Sequence, residues 1–143
     1  MDSIVVEGFL GVPASFYAQW VDLYPSLGES SGHFDDADSD GVVNWAEYAL
    51  GGNPTSNDAV SVLPEGSMES DGSWVYYSYQ RRDNAAARGI DYTVLSGTSL
   101  PDGLNNVVPT WSVSPTINGF ETATHRLSTD GEPRGFMRLK IEQ

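Results

Sequence analysis

Asp36, Asp38 and Asp40 occupy alternate positions, Gly41 follows at once, and Glu47 stands six residues further on. Short carboxylates packed this closely repel one another unless a hard cation lies between them. The segment from Asp36 to Glu47 satisfies D-x-D-x-D-G-x5-E at every specified position, the pattern of a twelve-residue calcium loop of EF-hand type. In that pattern Asp36, Asp38 and Asp40 supply carboxylate oxygens, Val42 its backbone carbonyl, Asn44 a direct or water-mediated oxygen, and Glu47 a bidentate carboxylate. Gly41 makes the sharp turn. Ca2+ takes roughly six to eight hard oxygen ligands, which this set approaches, so calcium is the expected cofactor. Such loops normally work in pairs, and only one is visible. The expected role is therefore a structural staple for the helix that follows, not a sensor that opens a groove.

A second constellation is aromatic. Trp74, Tyr76, Tyr77 and Tyr79 crowd one stretch that runs directly into Arg81 and Arg82, and Trp111 follows Pro109 by two residues. In a strand, alternate side chains point to opposite faces, so one set belongs to the core and the other is displayed. Displayed aromatic rings stack on the apolar faces of sugars, and arginines offer forked donors to hydroxyls, carboxylates or sulfates. These seven residues are the candidate ligand site, with a polysaccharide as the partner. The alternative is that the rings only fill a core and the domain is a structural or sorting module without a glycan ligand.

Signals for catalysis are missing. His33 and His125 are isolated, there is no cysteine, and no H-E-x-x-H or phosphate-loop pattern occurs. Two carboxylates brought together by folding remain a route to glycoside hydrolysis, but most acids belong to the metal loop or to turns. A non-enzyme is expected.

The elements that must position these residues follow from periodicity. Phe16, Trp20, Leu23, Tyr24 and Leu27 mark one face of a helix capped by Ser15 and ended near Tyr24 by Pro25. Asn44 to Glu47 has the layout of a capping box for a second helix that stops at Gly51-Gly52, with Pro54 beyond. Residues 53–72 read as a connection around a strand at 59–63, with Asn53 as a turn residue. From residue 73 the period changes to two, with strands at 73–80, 90–96, near 107–113, 120–127 and 135–142. In the last strand Met137, Leu139 and Ile141 form the apolar face. The fold class is mainly β, an antiparallel β-sandwich (residues 59–143) preceded by a short helical region with the calcium loop (residues 1–58), the two sharing one core.

Charge separates the same two regions. All seven basic residues lie beyond residue 80, as do seven of the twenty acids, so residues 1–80 carry −13 and residues 81–143 carry zero. A negative field of that size argues against nucleic acid and anionic membranes as partners. No apolar stretch is long enough to span a bilayer, and residue 1 leads into a segment of mid-domain character, so a piece of a longer protein is expected.

The run FDDADSDGVVNWAEYALGGNP resembles the calcium motif of accessory domains at the C-terminal ends of large secreted bacterial proteins, many of them polysaccharide-degrading enzymes. It is also similar to the calcium loops of dockerins and thrombospondin type 3 repeats. In the accessory family a β-rich part follows with a segment like residues 79–100, YQRRDNAAARGIDYTVLSGTSL, and the resemblance spans about residues 15–140. It implies a secreted, calcium-stabilised, non-catalytic module attached to parent enzyme domains. The absence of a second loop departs from dockerins and speaks against docking of their kind.

Overall fold

Ser15 caps helix α1 (Phe16–Val21), its hydroxyl accepting from the Ala18 N–H at 3.1 Å. A cap of this kind is worth about 1 kcal/mol. It opens the described part of the computed structural model, which covers residues 15–98, 103–130 and 135–143. The first fourteen residues of the expected helical region, the end of the 79–100 segment and Arg134 lie outside it.

Helix α1 is shorter than its apolar spacing predicts, and its buried face differs. Tyr17 and Trp20 point inward, whereas Phe16 and Leu23 are exposed. The helical period ends at Val21, so Leu23 no longer falls on the expected face. Leu27 is buried from a separate 3-10 turn at Pro25–Leu27.

Helix α2 (Asn44–Leu50) forms where predicted but without the capping box. Val43 is its N-cap and contributes no side-chain bond. Asn44 lies inside the helix, and its amide nitrogen donates to the carbonyls of Ser30 (2.8 Å) and Gly32 (3.0 Å). That ties the preceding loop to the helix. Six of the seven α2 residues are buried, so the helix is a core element and not a surface one.

Residues 59–62 are helical (α3, Ala59–Val62) where β-branched valines predict a strand. The Asp58 carbonyl accepts from the Ser61 and Val62 N–H groups, closing a turn. Only Val62 then enters the core, and Val60 stays exposed. Local backbone bonding overrides the valine preference for strand.

Among the described residues seven strands follow: β1 (Glu65–Met68), β2 (Trp74–Arg82), β3 (Asp91–Gly97), β4 (Leu104–Val107), β5 (Thr110–Val113), β6 (Phe120–Ser128) and β7 (Phe136–Glu142). A single turn of helix, α4 (Ala85–Arg88), separates β2 from β3. The strands form two antiparallel sheets, β1-β2-β6-β5 and β4-β3-β7. The segment expected as one strand near 107–113 is divided at Val108-Pro109, with β4 in one sheet and β5 in the other. Proline has no N–H to continue a ladder, and Val108 is buried between the two halves.

Tyr79 and Ala123 of one sheet pack with Val94 of the other, and Val42, Leu50 and Val62 of the helical region join the same cluster. Met137, Leu139 and Ile141 line it as their alternation predicts. A second, aromatic cluster gathers Tyr17, Trp20, Trp45 and Tyr48 around Ile90. His33 stacks on Tyr17 there, with ring centroids 4.0 Å apart. Helix α2 contributes to both clusters.

His125 sits inside the core between the sheets. Its Nδ1 faces the Val108 carbonyl at 2.9 Å and its Nε2 faces the Tyr79 hydroxyl at 2.9 Å. A carbonyl only accepts, so Nδ1 carries the proton and Nε2 accepts from Tyr79. Burial holds the imidazole below its ordinary 6.5, against the pull of the Val108 and Pro109 backbone. The unfolded chain therefore binds a proton that the folded one refuses, so this contribution is complete above about pH 6.5 and is lost as pH falls through the folded value. We expect the melting temperature to drop between pH 7 and 5.5 by more in the parent than in His125→Gln. Equal slopes in thermal melts across that range would remove His125 as the cause.

Candidate functional site

Asp38, Asp40, Glu47 and Asp58 converge, each offering a carboxylate oxygen within 4.8 Å of the others. The loop reaches this arrangement through its own backbone. Asp36 accepts from the N–H groups of Asp40 (3.2 Å) and Gly41 (2.9 Å), and Asp40 accepts from those of Val42 (2.9 Å) and Asp58 (3.1 Å). Gly41 turns with φ 89°, a conformation that side-chain-bearing residues rarely adopt.

Glu47 is the centre of the group. It is completely buried, and neither carboxylate oxygen has a hydrogen-bond partner. Asp38 and Asp58 each add one buried oxygen without a partner. Burial pushes the Glu47 carboxyl up to about 9, with further elevation from the charges of Asp58, Asp40 and Asp38. Burial also raises Asp38 to about 6. Asp40 feels burial too, but the Val42 and Asp58 N–H groups hold it below the ordinary carboxylate value. A dry carboxylate with no donor costs several kcal/mol unless it is protonated or met by a cation. The donor set is all hard oxygen, which suits calcium or magnesium and not soft metals.

The cradle is fitted to Glu47. A Cβ on Gly52 would lie 1.6 Å from its Oε2, so the second glycine of Gly51-Gly52 is needed for close approach and not only to end the helix.

Of the six residues predicted as calcium ligands, the structure gathers Asp38, Asp40 and Glu47. Asp36 lies outside the group of four and organises the turn. Asn44 directs its amide nitrogen to the loop at 30–32, and the Val42 side chain is buried in the core. Asp58 is not among the predicted ligands: it stands eleven residues beyond Glu47, outside the twelve-residue pattern, and only folding brings it to the group. Asn53 is a turn residue as expected, its Oδ1 accepting from the Thr55 N–H and hydroxyl.

The aromatic candidates divide between the two faces of β2. Tyr77 and Tyr79 belong to the core side, and the Tyr77 hydroxyl accepts from the Leu139 N–H. Trp74 and Tyr76 occupy the outer face. Trp111 joins them from β5 and is 50% exposed, its ring centroid 5.4 Å from that of Tyr76. Register explains its reach: Thr110 pairs with His125 and Ser112 with Thr124, which leaves Trp111 as the extra residue of a bulge. Bulges re-aim side chains in this way.

Neither predicted arginine stands free. Arg81 pairs with Glu121, Nε to Oε2 at 2.6 Å. Arg82 donates to the Tyr48 carbonyl at 2.8 Å and lies over the rings of Tyr48 and Phe120 at 4.3 and 4.7 Å. It fastens β2 to the last turn of α2. The cation beside Trp74 and Trp111 is instead Arg126, whose guanidinium carbon sits 4.0 Å from the Trp74 ring centroid and 4.7 Å from that of Trp111. Its place opposite Tyr76 follows from pairing with a strand far along the sequence, which local spacing does not reveal.

Comparison with protein-family models, curated proteins and solved structures finds no match to this chain.

The fit around Glu47 has a direct check. Gly52→Ala is expected to destabilise by about 2 kcal/mol or more through overpacking, whereas Gly66→Ala, whose nearest neighbour would be 4.0 Å away, changes stability by less than about 0.5 kcal/mol. Urea denaturation of the two variants measures both.

Proposed function

We propose that this domain is a non-catalytic carbohydrate-binding module, its two sheets packed as a sandwich and its helical region stapled by calcium, that holds a parent secreted enzyme on a polysaccharide. The observation that carries the reading is the division of β2, which spends Tyr77 and Tyr79 on the core and leaves Trp74 and Tyr76 outside beside the half-exposed Trp111. Indole rings are expensive to leave in water, and sugar rings are a natural cover for them. Along the same face Ser78 and Gln80 lie beside Thr124 and Thr122, offering hydroxyl and amide groups to a glycan chain.

Calcium supports this face from a distance. Asp38, Asp40, Glu47 and Asp58 would hold it, and Asp36, whose oxygens keep lone pairs beyond the turn bonds, would complete the set with the Val42 carbonyl. Bound there, the ion neutralises the buried Glu47 and fixes α2, to which Arg82 ties the aromatic strand. The ion's role is structural in this reading. The internal engagement of Arg81 and Arg82 favours the second reading, a structural module with no glycan, to the extent that these residues serve stability alone.

Two measurements test the proposal. Calcium at about 100 times its dissociation constant should stabilise the parent by about 2.7 kcal/mol. Glu47→Gln should lose that increment, yet in chelator be no less stable than the parent, because glutamine matches in shape the neutral acid that Glu47 is without an ion. Identical melting of the parent in calcium and in chelator refutes the staple.

Affinity electrophoresis against neutral and anionic polysaccharides tests the face. Trp111→Ala should remove most retardation at unchanged melting temperature, while Tyr79→Ala should lower the melting temperature instead. Retardation of the parent by none of the polysaccharides would leave the structural-module reading standing.

A further inference from the structure

Arg126 differs from the other arginines near the aromatic strand. Arg81 and Arg82 spend hydrogen-bond donors on Glu121 and on the Tyr48 carbonyl. The Arg126 guanidinium has no hydrogen bond or ion pair among the described residues; its contacts are the indoles of Trp74 and Trp111. Two aromatic rings hold the cation in place without using any of its five N–H donors. That is the arrangement in which an arginine is pre-positioned for a planar anion, because the rings restrict its rotamers while the fork stays open.

The surroundings favour an anion. Tyr76, Ser78 and Gln80 of β2 run beside Arg126, Thr124 and Thr122 of β6, and this strip holds one formal charge, that of Arg126. Glu65 of β1 borders the strip opposite Ser78, two strands and two residues from Arg126, or roughly 12 Å, and the group around Glu47 lies next to α2. From Arg82, which touches α2, to Tyr76 is six strand residues, or roughly 20 Å. That exceeds the screening length of about 8 Å at physiological salt, so the negative net charge does not cancel the local positive one.

We infer that Arg126, clamped between Trp74 and Trp111, is an anion-selecting element, and that the glycan it selects carries a carboxylate or sulfate on the sugar stacked beside Tyr76 and Trp111. The inference rests on the glycan-binding reading and narrows it to an acidic polysaccharide. Trp111 has two roles here: it positions the guanidinium and it offers the ring that the sugar covers.

Affinity electrophoresis of the parent, Arg126→Ala and Arg126→Lys tests this with a polyuronate, a sulfated galactan and a neutral β-glucan, each at low and high salt. The parent should be retarded more by at least one acidic polymer than by the neutral one, and the preference should shrink with salt. Arg126→Ala should weaken binding to the acidic polymer by about tenfold or more and leave any neutral binding within about twofold. Arg126→Lys keeps the charge but not the fork, and should recover less than half of the loss in free-energy terms. Melting curves of both variants establish that they are folded.

Preference for the polyuronate identifies the anion as carboxylate, and preference for the galactan identifies it as sulfate. Binding to the neutral polymer alone, or acidic binding that Arg126→Ala leaves intact, overturns this inference while the glycan reading survives. Retardation by no polymer overturns both. If Arg126→Ala is unfolded, the lysine variant and the salt dependence of the parent decide the question.

Discussion

The buried carboxylate of Glu47 is the constraint on which the helical half of this protein depends. Its side chain is dry, has no donor, and shares its surroundings with three aspartates. Everything near it is arranged to permit that. Gly52 gives it room, Asp58 closes the group from a turn beyond the helix, and Asp36 folds the loop through two N–H groups. Hydrophobic packing alone does not account for the placement, since an apolar side chain would fill the site without a penalty. A proton on Glu47 or a bound cation would offset the cost, and a cation would in addition hold α2 from its polar side.

The helix passes that constraint on. Val42 and Leu50 flank it in the cluster between the sheets, while Trp45, Tyr48 and Ala49 enter the aromatic cluster with α1. Arg82 and Tyr92 then bond to the Tyr48 and Ala49 carbonyls, which links both sheets to the same helical turn. The helical and β regions therefore share a core, and neither cluster is independent of α2.

Much of this was legible from local pattern. Helix α2 with its glycine stop, the change of period at residue 73 and the alternation of β7 all depend on neighbours within a few residues, and all of these elements appear. The errors have a common cause. The AVSV segment became a helical turn because the Asp58 carbonyl captured its N–H groups, and EGSM became β1 with no apolar alternation to announce it, its Met68 lying exposed. Asn44 gave its side chain to a distant loop instead of the helix start. Which aromatics of β2 faced outward, and that Arg126 stood among them, depended on pairing with β6, about 46 residues later. Spacing reveals two faces of a strand but not which face the second sheet will cover.

That distance in sequence has a consequence for how the chain acquires its shape. The central pair of the larger sheet joins β2 to β6, and the smaller sheet joins β3 to β7, so the two pairings interleave along the chain. Neither sheet can be completed until the final third of the polypeptide is available, and each pairing closes a long loop before its contacts repay the lost entropy. Folding of this kind is slow, and an incomplete chain would display β2, with its run of aromatic residues, as an unpaired edge open to aggregation. Residues 1–80, at −13, would repel one another between unfinished copies, a force that opposes such pairing apart from any ligand.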